Sequence, residues 1–358
     1  MFQYMCEEFA EADAYTLAFN PRKTLPYFSK RDIRTTWLNR FVRSRNSFRW
    51  SFPVATYAME SLDLRQYDLV LSSSATVAKY VRVPNGKHIC YCYIPTRAIW
   101  HFDEYFQNNF KANALKLFLP YLRRRDYAAA QKIDKFVAIS QASSGYIKQY
   151  YNRCSEIINC PINLDQFAPA RNRENYYLIV SRLDQWKRVD YAVEAFNRLG
   201  LPLRIVGTGE QEAQLKAMAK SNITFVGQVD DETLAREYAE AIAVVFTPFL
   251  EYGLTPLEAS ASGTPVICYG KGGITETMIP FDDRVPSTAP PTAVFFHEQT
   301  ANALIDSVRR FDASKFNTQD LVKHASHWGV PAFKKNIRGA VDSLMTGAPK
   351  KKDQGVCC

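Results

Sequence analysis

Glu251-Tyr-Gly-Leu-Thr-Pro-Leu-Glu258-Ala259, followed by Ser262-Gly-Thr-Pro-Val-Ile267, is the stretch on which the fold turns. The run Val244-Val-Phe246 before it reads as a strand. Thr255 then reads as a helix N-cap and Pro256 as the first helical residue. A helix opening there aims free backbone N–H groups and the positive end of its dipole beyond the sheet, an arrangement that suits a diphosphate. Thr255 and Glu258, three apart, also fit a plain capping box. Within this segment both readings stand.

Outward from it, short β runs alternate with helical stretches. The runs are Tyr176–Val180, Leu203–Val206, Ile223–Val226, Val244–Phe246, Val266–Cys268 and Val294–Phe296. Between them lie helical patterns over Val189–Leu199, Gln211–Lys220, Thr233–Glu240, Leu257–Ser262, Ile274–Ile279 and Ala301–Arg310. Nearly continuous Val/Ile/Leu in the runs argues for a parallel sheet covered on both faces, a doubly wound α/β unit whose ligands bind beyond the carboxyl ends of the strands. The first half repeats the rhythm less clearly, with strands expected at Ala14–Leu17, Leu69–Ser72, His88–Cys92 and Phe136–Ile139.

The chain has 358 residues, enough for two domains at about 150 each. The expected division is an acceptor-side domain over 1–160, a linker over 161–174, a nucleotide-binding domain over 175–330, a helix over 331–347 packing back on the first domain, and a disordered tail over 348–358. Residues 160–174 hold two prolines and no periodicity, hence the linker. No apolar run reaches the length of a membrane span, and Glu7, Glu8 and Glu11 among the first residues do not fit a secretory signal. The eight cysteines form no CxxC pair and have no histidine cluster beside them. Free buried thiols in a reducing cytoplasm fit better than disulfides or zinc, and no metal site is expected.

The net charge is +9, and it is uneven. Lys30, Arg31, Arg34, Arg40, Arg43, Arg45 and Arg49 lie among aromatic residues with Asp32 alone opposing them. Arg123, Arg124 and Arg125 follow the apolar run Leu115–Leu122. Such clusters suit an anionic membrane surface; a solvated basic face is the alternative. No nucleic-acid-binding motif accompanies the charge.

Five ordered motifs in the second half resemble glycosyltransferase family 4: Ser181-Arg-Leu-Asp-Gln-Trp-Lys-Arg-Val-Asp190, Ile205-Val-Gly-Thr-Gly-Glu210, Phe225-Val-Gly227, Tyr252-Gly-Leu254 with Glu258-Ala259, and Tyr269-Gly-Lys-Gly-Gly273 with Glu276. In the first half Tyr67–Ser74, Cys90-Tyr-Cys92 with Pro95 and Arg97, and Asp134–Ser140 are similar to the branch that builds bacterial O-antigens and exopolysaccharides. The resemblance implies a GT-B fold, two Rossmann-like doubly wound domains facing a cleft. It implies retaining transfer of a hexose, mannose from GDP-mannose among the candidates, from a nucleoside-diphosphate sugar (GDP- ahead of UDP-). The acceptor would be a lipid-linked or polysaccharide chain, and the location cytoplasmic, peripheral at the inner face of the membrane. No resident cofactor is implied. Arg182 and Lys187 match the diphosphate clamp, where Arg offers a rigid fork and Lys a point charge. Glu258 matches the ribose-binding glutamate. Gly253, Leu254 and Thr255 would present backbone to phosphate or sugar, and Gly207, Gly209, Gly227 and Gly273 would let backbone approach the ligand.

Four features depart from that pattern. The family's first glutamate falls on Leu250, and Glu251 stands one place later, so the donor-hexose contact passes to Glu251 or is lost. Ala75 and Tyr93 stand where histidines are usual. The chain also opens at the family's first helix, without its first strand and glycine-rich loop. In-frame coding sequence upstream of Met1, specifying a β-rich run and a Gly-rich loop, is the expectation from that gap. A catalytically impaired protein of the same fold, binding nucleotide or saccharide as a scaffold, is the competing reading.

Overall fold

The computed structural model describes residues 1–42, 51–106, 116–281 and 289–347. They form two units. The first comprises 1–159 with 333 onward, the second 160–332.

The second unit is built on a six-stranded sheet. Its strands are β7 (Tyr177–Val180), β8 (Leu203–Val206), β9 (Ile223–Gly227), β10 (Ala243–Phe246), β11 (Val266–Tyr269) and β12 (Ala293–Phe296). The order is β12-β11-β10-β7-β8-β9, and every pairing is parallel. Successive side chains of a strand point to opposite faces, and the core divides accordingly. Ile179, Ile205, Val245 and Ile267 belong to one buried cluster with Val193 and Phe196 of helix Val189–Leu199. Leu178, Val206, Val244 and Cys268 belong to another with Tyr238 of helix Asp231–Glu240 and Leu257 of helix Leu254–Ala261. Both faces are covered, as uninterrupted Val/Ile/Leu runs require. A large apolar side chain buried this fully contributes about 1.5–3 kcal/mol. The helices Val189–Leu199 and Ala301–Arg310 have the bounds expected from sequence. The first ends at Gly200, whose φ of 69° places it in the left-handed region.

Residues 160–174 are not a free linker. Ile162 and Phe167 are buried in the second unit's core, Ile162 N–H donates to the Trp328 carbonyl at 2.9 Å, and Phe167 packs edge-on to Tyr238. Apolar anchors spaced outside any helical or strand period still bury when a groove receives them, which periodicity alone does not reveal.

The first unit holds two sheets. β1 (Ala14–Thr16) pairs in parallel with β2 (Ile33–Thr35). β3 (Leu69–Ser74), β4 (Lys87–Cys92), β5 (Lys135–Ala138) and β6 (Ser155–Ile157) form a second parallel sheet in that order. β2 and β6 were not foreseen; each is three residues long, too short to show a pattern. Asp126 anchors helix Leu119–Gln131 to this unit. It pairs with Lys79 at 2.9 Å, both side chains buried, and accepts hydrogen bonds from Tyr80, Tyr151 and Trp100. The last helix, Val330–Thr346, sets Phe333 edge-on to Tyr91 and pairs Lys334 with Glu7 and Arg338 with Glu8.

The basic clusters are partly spoken for. Arg31 donates to the Cys6 carbonyl in the last turn of helix Phe2–Glu8 and to the Ala10 and Ala12 carbonyls just past it. Arg34 pairs with Asp13, and Arg125 pairs with Glu60 and stacks over Tyr57. Lys30, Arg40 and Arg124 are exposed; Arg43, Arg45, Arg49 and the tail lie outside the described residues. Of the six cysteines among the described residues, Cys6, Cys90, Cys92, Cys160 and Cys268 are buried and Cys154 is exposed. No described helix is long and apolar enough to cross a membrane, and the described residues hold no His/Cys/Asp/Glu cluster suited to a metal.

Candidate donor site

In the second unit the strand order reverses between β7 and β10. From β7 the chain winds outward to β8 and β9, then returns to β10, β11 and β12. Loops beyond the carboxyl ends at such a switch point diverge and leave room for a ligand. The loop after β7 carries Arg182 and Lys187. The loop after β10 leads into helix Leu254–Ala261 with Glu258. Thr247, just past β10, ties the two loops together: its hydroxyl donates to the Lys187 carbonyl at 2.7 Å, and its own carbonyl accepts from Tyr191 and from Gln299 at 3.0 Å.

The helix start differs from the sequence expectation. Gly253 is the N-cap and Leu254 the first helical residue, with no side-chain cap. Thr255 and Pro256 are therefore the second and third helical residues, and the Thr255–Glu258 capping box does not form. Glu258 instead accepts a 2.7 Å hydrogen bond from the Tyr238 hydroxyl. Burial pushes the Glu258 carboxyl above its usual range, against the lowering effect of that hydrogen bond. Gly253 takes the cap because the Phe246 ring and Pro256 Cδ close on the place its Cβ would fill, at 3.1 and 3.2 Å. Pro256 supplies no N–H, so the unpaired donors of this first turn reduce to the Leu254 and Thr255 amides.

Arg182 is half-exposed and ion-paired with Asp184. Lys187 closes the 3₁₀ turn Gln185–Lys187, its ammonium 4.2 Å from the Trp186 ring centroid. Arg188 follows in the left-handed region at φ 53°, a conformation that costs a non-glycine residue on the order of 1 kcal/mol and clusters at functional loops. Gly207 ends β8 at φ 125°, where a Cβ would overlap the Ser181 carbonyl. Its N–H donates to the Gly227 carbonyl at 2.8 Å, binding the ends of β8 and β9 together. Gly209 sits against Leu183.

Glu251 is buried, in a loop closed by backbone. Gly273 N–H donates to the Leu250 carbonyl at 2.8 Å, Leu250 bridges Gly272, and a Cβ on Gly273 would overlap the Glu251 carbonyl. The side chain of Leu250 packs on the core. The second and fifth motifs of the resemblance thus meet their neighbours through backbone, which explains their glycines. Motif reading did not find Tyr238, Asp184 or Thr247, which hold Glu258, Arg182 and the Lys187 loop. Tyr238 and Thr247 reach their partners from other elements, so no local pattern marks them; Asp184 stands two residues from Arg182 in the same loop. Trp186, Phe249 and Leu254 were likewise unremarked as a group. At 39%, 44% and 40% exposure they put open apolar surface on the loops of this edge, where a ligand's rings and carbons could be covered.

This fold is that of a GT-B protein. The model for glycosyl transferases group 1 matches residues 162–328, almost the whole of the second unit. It is 26% identical over 238 residues to the O-antigen chain mannosyltransferase C of Escherichia coli, covering 58% of this chain and 62% of that one. The chain spans less than two thirds of the curated relatives it first matches, from 33% to 62% of their length. Among solved structures it resembles the sucrose-phosphate synthase of Thermosynechococcus elongatus, with TM-score 0.74 and 19% identity over 96% of this chain and 92% of that one. It also resembles Anabaena HepE in complex with UDP and glucose, with TM-score 0.69 and 15% identity over 96% and 95%. These two likenesses establish the fold.

Proposed function

We propose that this chain is a retaining glycosyltransferase that moves a hexose from a nucleoside-diphosphate sugar to a lipid-linked or polysaccharide acceptor in surface-polysaccharide synthesis. The reading rests on one observation. The loop carrying Arg182 and Lys187 and the helix start at Leu254 flank the same switch point, pinned to each other by Thr247. When the bond from the sugar carbon to the phosphate oxygen breaks, its electron pair stays on the diphosphate. Two side-chain cations and two helix-terminal amides placed there stabilise that added charge more as it develops than before. The acceptor hydroxyl forms the new bond to the sugar carbon and passes its proton to the departing diphosphate oxygen. Glu258, held by Tyr238, would accept hydrogen bonds from the ribose hydroxyls. Mannose is favoured by the name of the Escherichia coli relative, and the UDP in the Anabaena structure favours uracil as the donor base. In the first unit Leu117 and Phe118 are exposed beside Arg124, which supports contact with an anionic membrane face.

Leu250 in place of a glutamate favours the impaired-scaffold reading. The test is calorimetric titration of the chain with GDP, UDP and ADP, then transfer assays with sugars of the base that binds. One nucleotide should bind selectively. Lys187→Ala should weaken that binding roughly 10- to 100-fold, the scale of one charge-assisted hydrogen bond, and abolish turnover. Binding without any transfer would establish the scaffold; no binding of any nucleotide would refute the donor site.

A further inference from the structure

Tyr238 lies on helix Asp231–Glu240 and is wholly buried. Contacts hold it at every part. Its ring packs edge-on to Phe167, 5.7 Å between centroids. Its carbonyl accepts from the Thr264 hydroxyl at 2.7 Å, and the Thr264 N–H donates to the Ala259 carbonyl at 2.8 Å. Its hydroxyl donates to Glu258 Oε2 at 2.7 Å and hydrogen-bonds the Thr255 side chain. Tyr238 is thus tied to helix Leu254–Ala261 twice, in the first turn through Thr255 and just past the last through Thr264.

Core packing does not account for the hydroxyl. A phenylalanine would fill the same space and meet Phe167 in the same way, without burying an O–H beside a carboxylate. What the hydroxyl adds is direction. The last torsion of a glutamate has no sharp preference, so the bonds made to a carboxylate set its plane. One oxygen of Glu258 is taken. The other, Oε1, accepts no hydrogen bond from the described residues and is not sealed from solvent. Leu254, whose amide opens the helix, lies one turn before it. A tyrosine hydroxyl has a single proton, and here it goes to Glu258. The Thr255 hydroxyl is therefore the donor to the Tyr238 oxygen, and the three groups form a directed chain from Thr255 through Tyr238 to Glu258. Hydrogen bonds in series strengthen one another.

We infer that Tyr238 is a positioning residue for sugar specificity: it fixes the Glu258 carboxylate so that Oε1 accepts from a ribose hydroxyl, and the site thereby distinguishes ribonucleotides from deoxyribonucleotides. The inference rests on the donor-site reading and deepens it. It also gives the Thr255 side chain a role apart from its amide: the hydroxyl turns to Tyr238, and the N–H is left for the ligand.

The probes are GDP, UDP and ADP, each with its 2′-deoxy and 3′-deoxy counterparts, and inorganic pyrophosphate, all titrated calorimetrically into the full chain. For the base that binds, the parent should prefer ribose over at least one deoxyribose roughly 10- to 100-fold, the scale of one hydrogen bond to a charged group. In Tyr238→Phe that ratio should fall to within about threefold, while pyrophosphate, which carries no ribose, binds as it does to the parent. A purely structural role would weaken every ligand together and keep the ratio. Thr255→Val, which leaves the tyrosine and the backbone amide in place, should lower the ratio in the same direction, and it decides the matter where Tyr238→Phe does not fold. An unchanged ratio in the folded variants, or a parent indifferent to the missing hydroxyl, overturns the inference and leaves the donor site standing. A parent that binds no nucleotide overturns both.

Discussion

At Glu258 the fold buries a carboxylate at a cost to stability. Its sequence position fitted two roles, a helix cap and a ribose acceptor. The structure removes the first, because the helix begins a residue earlier than Thr255 and Tyr238 reaches Glu258 from a different helix. Burial raises its carboxyl. A carboxylate raised in the fold penalises folding once ionised, so the penalty is absent below the unfolded value and grows as pH rises through the folded one. Glu258→Gln should therefore melt higher than the parent at pH 7, with the gain vanishing near pH 4, while nucleotide affinity falls. Melting curves at the two pH values, beside a nucleotide titration, check this; a variant that melts lower at pH 7 would sink it. Arg182 and Lys187 were legible as cations in a motif. Thr247, which holds the Lys187 loop, was not, since a hydrogen bond across 60 residues of sequence leaves no periodic trace.

At the scale of elements, strands and helices of the second unit were legible because each buries an apolar face of fixed period. Short strands and anchors were not: β2, β6 and the packed 160–174 segment owe their form to neighbours. β3 and β4 carry a further consequence. His88 on β4 is buried, its Nε2 2.8 Å from the Ser72 hydroxyl on β3, and Asp134 takes its backbone N–H at 2.8 Å. Burial pushes the imidazole down to about 4 from 6.5, the nearby Asp134 charge opposing only in part. A histidine kept neutral in the fold protonates first in the unfolded chain, so stability is intact above about 6.5 and falls as pH drops toward 4, by up to about 3 kcal/mol. Denaturant titrations from pH 7 to 4 should show that loss, and His88→Gln should show a shallower slope. Parallel slopes in the two proteins would exclude His88 as the cause.

For the molecule as a whole, the net charge of +9 survives the pairing of Arg31, Arg34 and Arg125, and exposed Leu117, Phe118 and Tyr121 stand near Arg124. The chain should co-sediment with vesicles containing phosphatidylserine and not with neutral ones. Arg124→Glu should weaken that by several-fold, since a basic residue near such a surface contributes about 1 kcal/mol. Equal sedimentation with both vesicle types would reject the electrostatic reading. The sequence by itself determined the doubly wound second unit and the glycines at its strand ends, because apolar periodicity and close backbone approach are local consequences of burial. Only the tertiary structure decided where the 254–261 helix begins, that Tyr238 holds Glu258, and that Ile162 and Phe167 anchor the 160–174 segment in the core. Each of those depends on surfaces brought together from distant parts of the chain, and contact at a distance in sequence is set by packing, which no single segment encodes.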